Sequence, residues 1–230
     1  MAPMPYYVSP EQLMKDRADY ARKGIARGKS IVAIECEPGI VMVAENPSAT
    51  LHKLSEIYDR IAFAAVGKYN EFENFRKAGV RLADLTGYAY GREDVTAKAV
   101  ANSYAQALGA IFTEQMKPYE IEILVAQVGQ TQESDEMYRV LYDGSLSDEQ
   151  GVMAMGGHAD TLMETLRDAY RPGFDLAEAV QLGTSSLAQA DPTRTLMPER
   201  LEVAWLDRSR TRRAFVRLDD AEVAAMLGSA

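Results

Sequence analysis

The chain has 230 residues, is 47% hydrophobic and 26% charged, and carries a formal net charge of −9. That length suits one large domain or two small ones, the composition is that of an ordinary soluble globular protein, and the acidity disfavours non-specific contact with the phosphates of nucleic acid. The most apolar stretch, residues 31–44, is cut by Glu35, Glu37 and Pro38, residues 1–30 are charged throughout, and Cys36 is the only cysteine, so neither a membrane helix, a secretory signal, a disulfide framework nor a Cys-rich zinc site is expected, and a cytoplasmic location is.

Residues 1–8 (Met1, Ala2, Pro3, Met4, Pro5, Tyr6, Tyr7 and Val8) show neither helical nor strand periodicity and read as a mobile tail. Ser9-Pro10-Glu11-Gln12 is a helix start, with Ser9 as cap, Pro10 at the first helical position and Gln12 placed to close a capping box. This helix should run to about Ala26, with Leu13, Arg17, Tyr20, Ala21 and Ile25 on one face and Gly24 and Gly28 punctuating its end. A stripe so weakly apolar needs something to pack on. Six basic residues fall between Lys15 and Lys29, and a second basic group, Arg208, Arg210, Arg212 and Arg213, lies near the C-terminus.

Two strands, 30–35 and 39–44, are joined by Cys36-Glu37-Pro38 into a hairpin, and a second pair spans 54–59 and 61–67. Long helical patterns follow near 70–89, with Phe72, Phe75, Gly79, Leu82 and Ala83 on one side, and near 95–116, with Ala99, Val100, Ala107, Leu108 and Ile111; Pro118 ends the second. Strand candidates at 121–128, 137–142 and 152–155 precede helices at 159–170 and 176–190, the latter opened by an Asp175/Glu178 capping box. Strands at 201–206 and 214–218 and a short helix from Asp219 close the chain. Strands grouped in hairpins between helix pairs favour two antiparallel sheets covered by helices, an α+β four-layer αββα sandwich in a single domain with an N-terminal helical extension.

No self-sufficient active site emerges. Gly28-Lys29-Ser30 has the ending of a phosphate loop, but Lys23 stands where its first glycine belongs, and a helix precedes it where a strand should. His52 and His158 are too few and too far apart for zinc, Cys36 has no activating neighbours, and Thr184-Ser185-Ser186 lacks nucleophile-elbow spacing. Neither a metal nor a cofactor is expected.

The runs Tyr20-Ala21, Gly28-Lys29-Ser30-Ile31-Val32-Ala33-Ile34, Gly39-Ile40-Val41-Met42-Val43-Ala44 and Ile61-Ala62-Phe63-Ala64-Ala65-Val66-Gly67, followed by the long helices, resemble the α-type subunits of the 20S proteasome in their actinobacterial form. The resemblance covers essentially the whole chain. It implies the sandwich of the N-terminal-nucleophile hydrolases (residues 29–230, within a 9–230 domain) with the extra α-type helix at 9–28. In catalytic β-type subunits a propeptide is removed and an N-terminal threonine attacks, its own amine acting as base. Here that place reads Lys29-Ser30-Ile31, and the aspartate after the second strand is replaced by Asn46, so the resemblance implies an inert subunit of a threonine-type endopeptidase complex.

By the same resemblance the partners are six further copies in a homo-heptameric ring, the proteasome β subunits, a ring-shaped ATPase activator and protein substrates in transit, with no nucleic acid and no membrane. Residues 1–8 would form the gate on the ring axis. Lys53, just before the third strand, would bind the C-terminal carboxylate of an activator tail, with Gly28 and Arg27 lining the same pocket. Archaeal and eukaryotic relatives carry a Tyr-Asp-Arg tail motif where this chain has Tyr6-Tyr7-Val8, so their open-gate contacts do not transfer. The alternatives are a catalytic hydrolase matured by cleavage near Ser30, or a stand-alone binding module using the basic helix.

Overall fold

The structure is a computed structural model that describes residues 9–191 and 196–228; the expected gate tail, residues 1–8, lies outside the described residues. Chain order is α1 (Pro10–Ala26), β1 (Ile31–Cys36), β2 (Gly39–Glu45), β3 (Leu54–Tyr58), β4 (Ile61–Gly67), α2 (Tyr69–Ala89), α3 (Ala97–Glu114), β5 (Ile121–Gln127) and β6 (Glu136–Val140). It continues through β7 (Leu146–Glu149), β8 (Val152–Met155), α4 (Ala159–Ala169), α5 (Leu176–Ala190), β9 (Leu201–Asp207), β10 (Phe215–Arg217) and α6 (Asp220–Met226).

The strands form two five-stranded sheets, β10-β9-β2-β1-β8 and β3-β4-β5-β6-β7, and every pairing is antiparallel. All residues of β1 and β2 are buried, because both faces of the first sheet are covered, and such strands read as continuous apolar runs. Ile31, Ala33, Ile40 and Met42 face the second sheet, meeting Leu54, Ala62, Ala64 and Leu124. The alternate residues Val32, Ile34, Val41 and Val43 face outward under α4 and α5, against Leu162, Leu166 and Val180. Across the molecule, Phe63, Ile123 and Val125 pack under α2 and α3 against Phe72, Phe75, Val100, Tyr104 and Leu108. The layer order is the expected αββα sandwich.

Helix α1 packs on β4 and β5. Its cap is the Ser9 hydroxyl, which accepts the Gln12 amide N–H at 3.2 Å, but Gln12 does not close the box: its side chain donates instead to Asp16 one turn on, at 2.7 Å. The packing face also differs from the expected stripe. Ala21 and Ile25 enter the inter-sheet core with Met14 and Ala18 against it, whereas Leu13 and Tyr20 remain 44% and 45% exposed. The apolar run is 14, 18, 21, 25, one residue off the run through Arg17. The Arg17 guanidinium turns aside and donates to the carbonyls of Phe112 and Thr113, at 2.5 and 3.2 Å, satisfying acceptors that the end of α3 leaves open.

In α3, Ala99 and Ala107 are exposed, and the buried face runs through Ala97, Val100, Ala101, Tyr104, Leu108 and Phe112. Strand β7, Leu-Ser-Asp-Glu, was not expected from the sequence. It is an edge strand with an exposed centre, and charge at a sheet edge blunts further pairing while erasing the apolar signal.

At the end of the sandwich away from α1, Arg208 grips Asp135, whose side chain is fully buried, with two bonds of 2.6 and 2.7 Å. Arg60 spans the carbonyls of Val128, Gly129 and Arg210, and Arg210 pairs with Asp207 at 3.0 Å. Much of the C-terminal basic group is therefore a polar seal on the core.

Candidate functional site

The chemistry-bearing residues gather where α1 ends and β1 begins. The Arg27 and Gly28 amides close the last turn of α1 onto Gly24 and Ile25. A Cβ on Gly28 would stand 3.2 Å from the Gly67 nitrogen, and Gly67 has a φ of +106°, with a Cβ there only 1.9 Å from the Glu120 carbonyl. The two glycines let the α1–β1 junction, the end of β4 and the approach to β5 meet at backbone distance.

Beside them opens a cleft of about 390 Å³ lined by Tyr20, Lys23, Gly24, Arg27, Gly28, Gly67, Lys68 and Glu120. The carboxylate of Glu120 is taken by Lys68. Among the described residues Lys23 and Arg27 have no ion-pair partner, so the cleft presents uncompensated cationic charge although the chain as a whole is acidic.

Lys53 does not line this cleft. Its ammonium donates to the carbonyl of Lys29, the residue after Gly28, at 2.7 Å, and to that of Glu45 at 3.1 Å. Burial pushes the Lys53 pKa down to about 8, against the pull of Glu202 and Glu45. Arg27 and Gly28 thus share the cleft, but the expected single pocket with Lys53 is not formed: Lys53 turns to the Lys29 carbonyl beside it.

Sequence reasoning missed the side chain that holds this corner. Glu202, on β9, has a side chain only 6% exposed. Its Oε2 accepts the Lys53 amide at 2.9 Å and the Asn46 side-chain amide at 2.7 Å. Its Oε1 accepts the Leu54 amide at 3.2 Å and the guanidinium of Arg217, with His52 Nδ1 at 3.4 Å. Contacts 148–156 residues apart in the chain leave no local signal; the only hint was one acidic residue inside an apolar strand. The cleft residues Lys23, Gly24, Gly67, Lys68 and Glu120 were also missed, though a glycine closing an apolar strand, as Gly67 does, marks close backbone approach.

Ser30, where the resemblance looks for an N-terminal nucleophile, is an internal residue 6% exposed whose carbonyl accepts the Glu45 amide at 3.2 Å. Asn46 is committed to its own loop and to β9: its side-chain amide donates to Leu51 at 2.8 Å and to Glu202, and its Oδ1 accepts the Ser48 amide at 3.1 Å. The Cys36 thiol donates to the Gly39 carbonyl and burial raises its pKa to about 12, the state of an unreactive thiol. His158 stands exposed at the N-cap position of α4, where its side chain makes no capping bond.

A family model described as "Proteasome subunit" matches residues 25–206. The chain belongs to the proteasome subunit family. This proteasome subunit is 57% identical over 230 residues to "Proteasome subunit alpha" of Kineococcus radiotolerans, covering 97% of each chain. It is 59% identical to the protein of that name from Xylanimonas cellulosilytica, over 95% of this chain and 93% of the other, and 58% identical to that of Acidothermus cellulolyticus, over 97% of each. The family match starts at the last turn of α1, whereas similarity to the α-named relatives is long enough to take in α1 itself. Among the described residues, no helix is long and apolar enough to cross a membrane.

Proposed function

We propose that this proteasome subunit is a non-catalytic ring component of a 20S core: seven copies cap the β ring, residues 1–8 obstruct the axial entrance, and a ring ATPase docks its C-terminal tails at the α1–β1 corner. The observation that carries the non-catalytic part is Ser30. A nucleophile that uses its own α-amine as base needs a free N-terminus, and Ser30 is buried, peptide-bonded and preceded by a helix that is capped at its start and anchored through Ala21, Ile25 and Arg17.

Docking is supported by the chemistry of the corner. An incoming carboxylate would enter past Lys23 and Arg27 in the cleft; Lys53 lies outside that lining, beyond the Lys29 carbonyl, and with two of its three N–H groups committed to carbonyls it keeps one to donate to a tail that reaches past the cleft. A charge-assisted contact of that kind is worth about 1.5–3 kcal/mol. The β subunits then perform hydrolysis, and protein substrates pass the ring.

Co-expression with the cognate β subunit and electron microscopy tests the assembly. Seven-fold rings of this chain should lie outside the β rings, and a particle without them would refute the proposal.

A further inference from the structure

We infer that Glu202 is a positioning residue for the proposed docking lysine: one buried carboxylate on β9 fixes the backbone at Lys53 and places negative charge near its ammonium. The inference rests on the docking role proposed above.

The geometry is that of a hub. Glu202 holds both ends of the 46–54 connection, at Asn46 and at Lys53-Leu54, to one point on β9, and Arg217 on β10 steadies it from the other side. The four groups hydrogen-bonded to it all donate: the Asn46 side-chain amide, the Lys53 and Leu54 backbone amides and the Arg217 guanidinium. A carboxylate, which only accepts, suits that set, whereas an amide would turn its own NH₂ toward one of the donors.

The charge matters as well as the shape. The ammonium of Lys53 touches two neutral carbonyls, so compensation for leaving water comes from nearby carboxylates. Glu202 on β9 and Glu45 on β2 are the ones that raise its proton affinity against burial. The other charged or titratable groups at this corner include Lys29, 3.0 Å from the Glu45 carboxylate, Arg217, and His52, 3.4 Å from Glu202; Asp191, Arg200 and His158 also act electrostatically on Glu45. Without the charge of Glu202, Lys53 releases its proton at lower pH, and an anionic tail loses its partner first on the alkaline side.

The test uses assembled α/β particles and a synthetic peptide copying the last ten residues of the ring ATPase, with the amidated peptide as control. Stimulation of fluorogenic-peptide hydrolysis is read relative to each particle's own basal rate from pH 7 to 9, and the series is repeated with His52→Gln to remove that imidazole. Because loss of the Glu202 charge lowers the Lys53 pKa, Glu202→Gln should raise the half-stimulating concentration, and by a larger factor at pH 8 and 9 than at pH 7. A Glu202→Gln profile that coincides with wild type, or is weakened equally at every pH, overturns the inference. Lys53→Ala separates the two readings: undiminished stimulation in that variant removes the docking role itself, whereas its loss beside a wild-type Glu202→Gln profile removes only the role of Glu202. Should Glu202→Gln fail to assemble, Glu202→Asp keeps the charge with shorter reach and should weaken stimulation several-fold with an unmoved pH midpoint; a wild-type half-stimulating concentration would again overturn the claim.

Discussion

Replacing Lys53 by methionine should change the pH dependence of stability in a calculable way. The ammonium is held by two carbonyls and its pKa falls from 10.5 to about 8, burial being the largest cause. The folded state therefore binds this proton less tightly than the unfolded chain. The resulting cost is fully present below pH 8 and is relieved as pH rises toward 10.5. Integrating between those two pKa values, wild type should gain about 2.5 kcal/mol between pH 7 and pH 10 relative to Lys53→Met. The difference between the two proteins cancels the titration of the other lysines and the tyrosines. Urea unfolding of the isolated chain at pH 7, 8.5 and 10, followed by tryptophan fluorescence, reads it directly. A difference that stays constant across this range would refute the burial of a charged Lys53, and with it the view of this corner as a desolvated carboxylate receptor.

Deleting residues 2–8 should raise hydrolysis of short peptides by the assembled particle while inhibitor titration of the β active sites stays unchanged. Gly67→Ala places a methyl group against the Glu120 carbonyl at a positive φ and should destabilise the chain by about 1–3 kcal/mol, seen as a lower Tm; an unchanged Tm would mean that the junction relaxes freely. Arg17→Met removes both bonds to the end of α3 and should cost about 1.5–3 kcal/mol, with α1 amides exchanging faster with deuterium than in wild type. Burial raises the Glu35 pKa to about 7, so the folded state holds that proton more tightly than the unfolded chain. Its stabilising contribution is complete below pH 4.5 and is lost as pH rises through 7; Glu35→Gln should flatten that stretch of the stability profile, and an unaltered slope in urea melts would contradict the assignment.

The sandwich was legible wherever local chemistry and layer agreed. The β1/β2 hairpin announces itself through two apolar runs around Cys36-Glu37-Pro38, and α5 through Asp175/Glu178, which closes the expected capping box; α6 starts at the expected place, and the structure adds an Asp219/Glu222 box there. The face of α1 was misread because Arg17 lies next to the apolar run and its use, closing the end of α3, is set by tertiary contact. Strand β7 was invisible because solvent, not the core, faces its middle. At the candidate site, Gly28 could be read locally as the end of α1, whereas its place in a pocket with Arg27 came only from the resemblance. Glu202 could not, because its partners are loop amides brought to it only by the sheet.

The central claim is that this subunit never exposes a nucleophile of its own. Intact-mass spectrometry of the chain recovered from active α/β particles, made with β subunits whose own nucleophile is alkylated or intact, measures this most directly. The account predicts a mass that retains α1 in both preparations, and hydrolysis that vanishes with the β nucleophile. A chain beginning at Ser30, with hydrolysis surviving in the blocked particle, would contradict it.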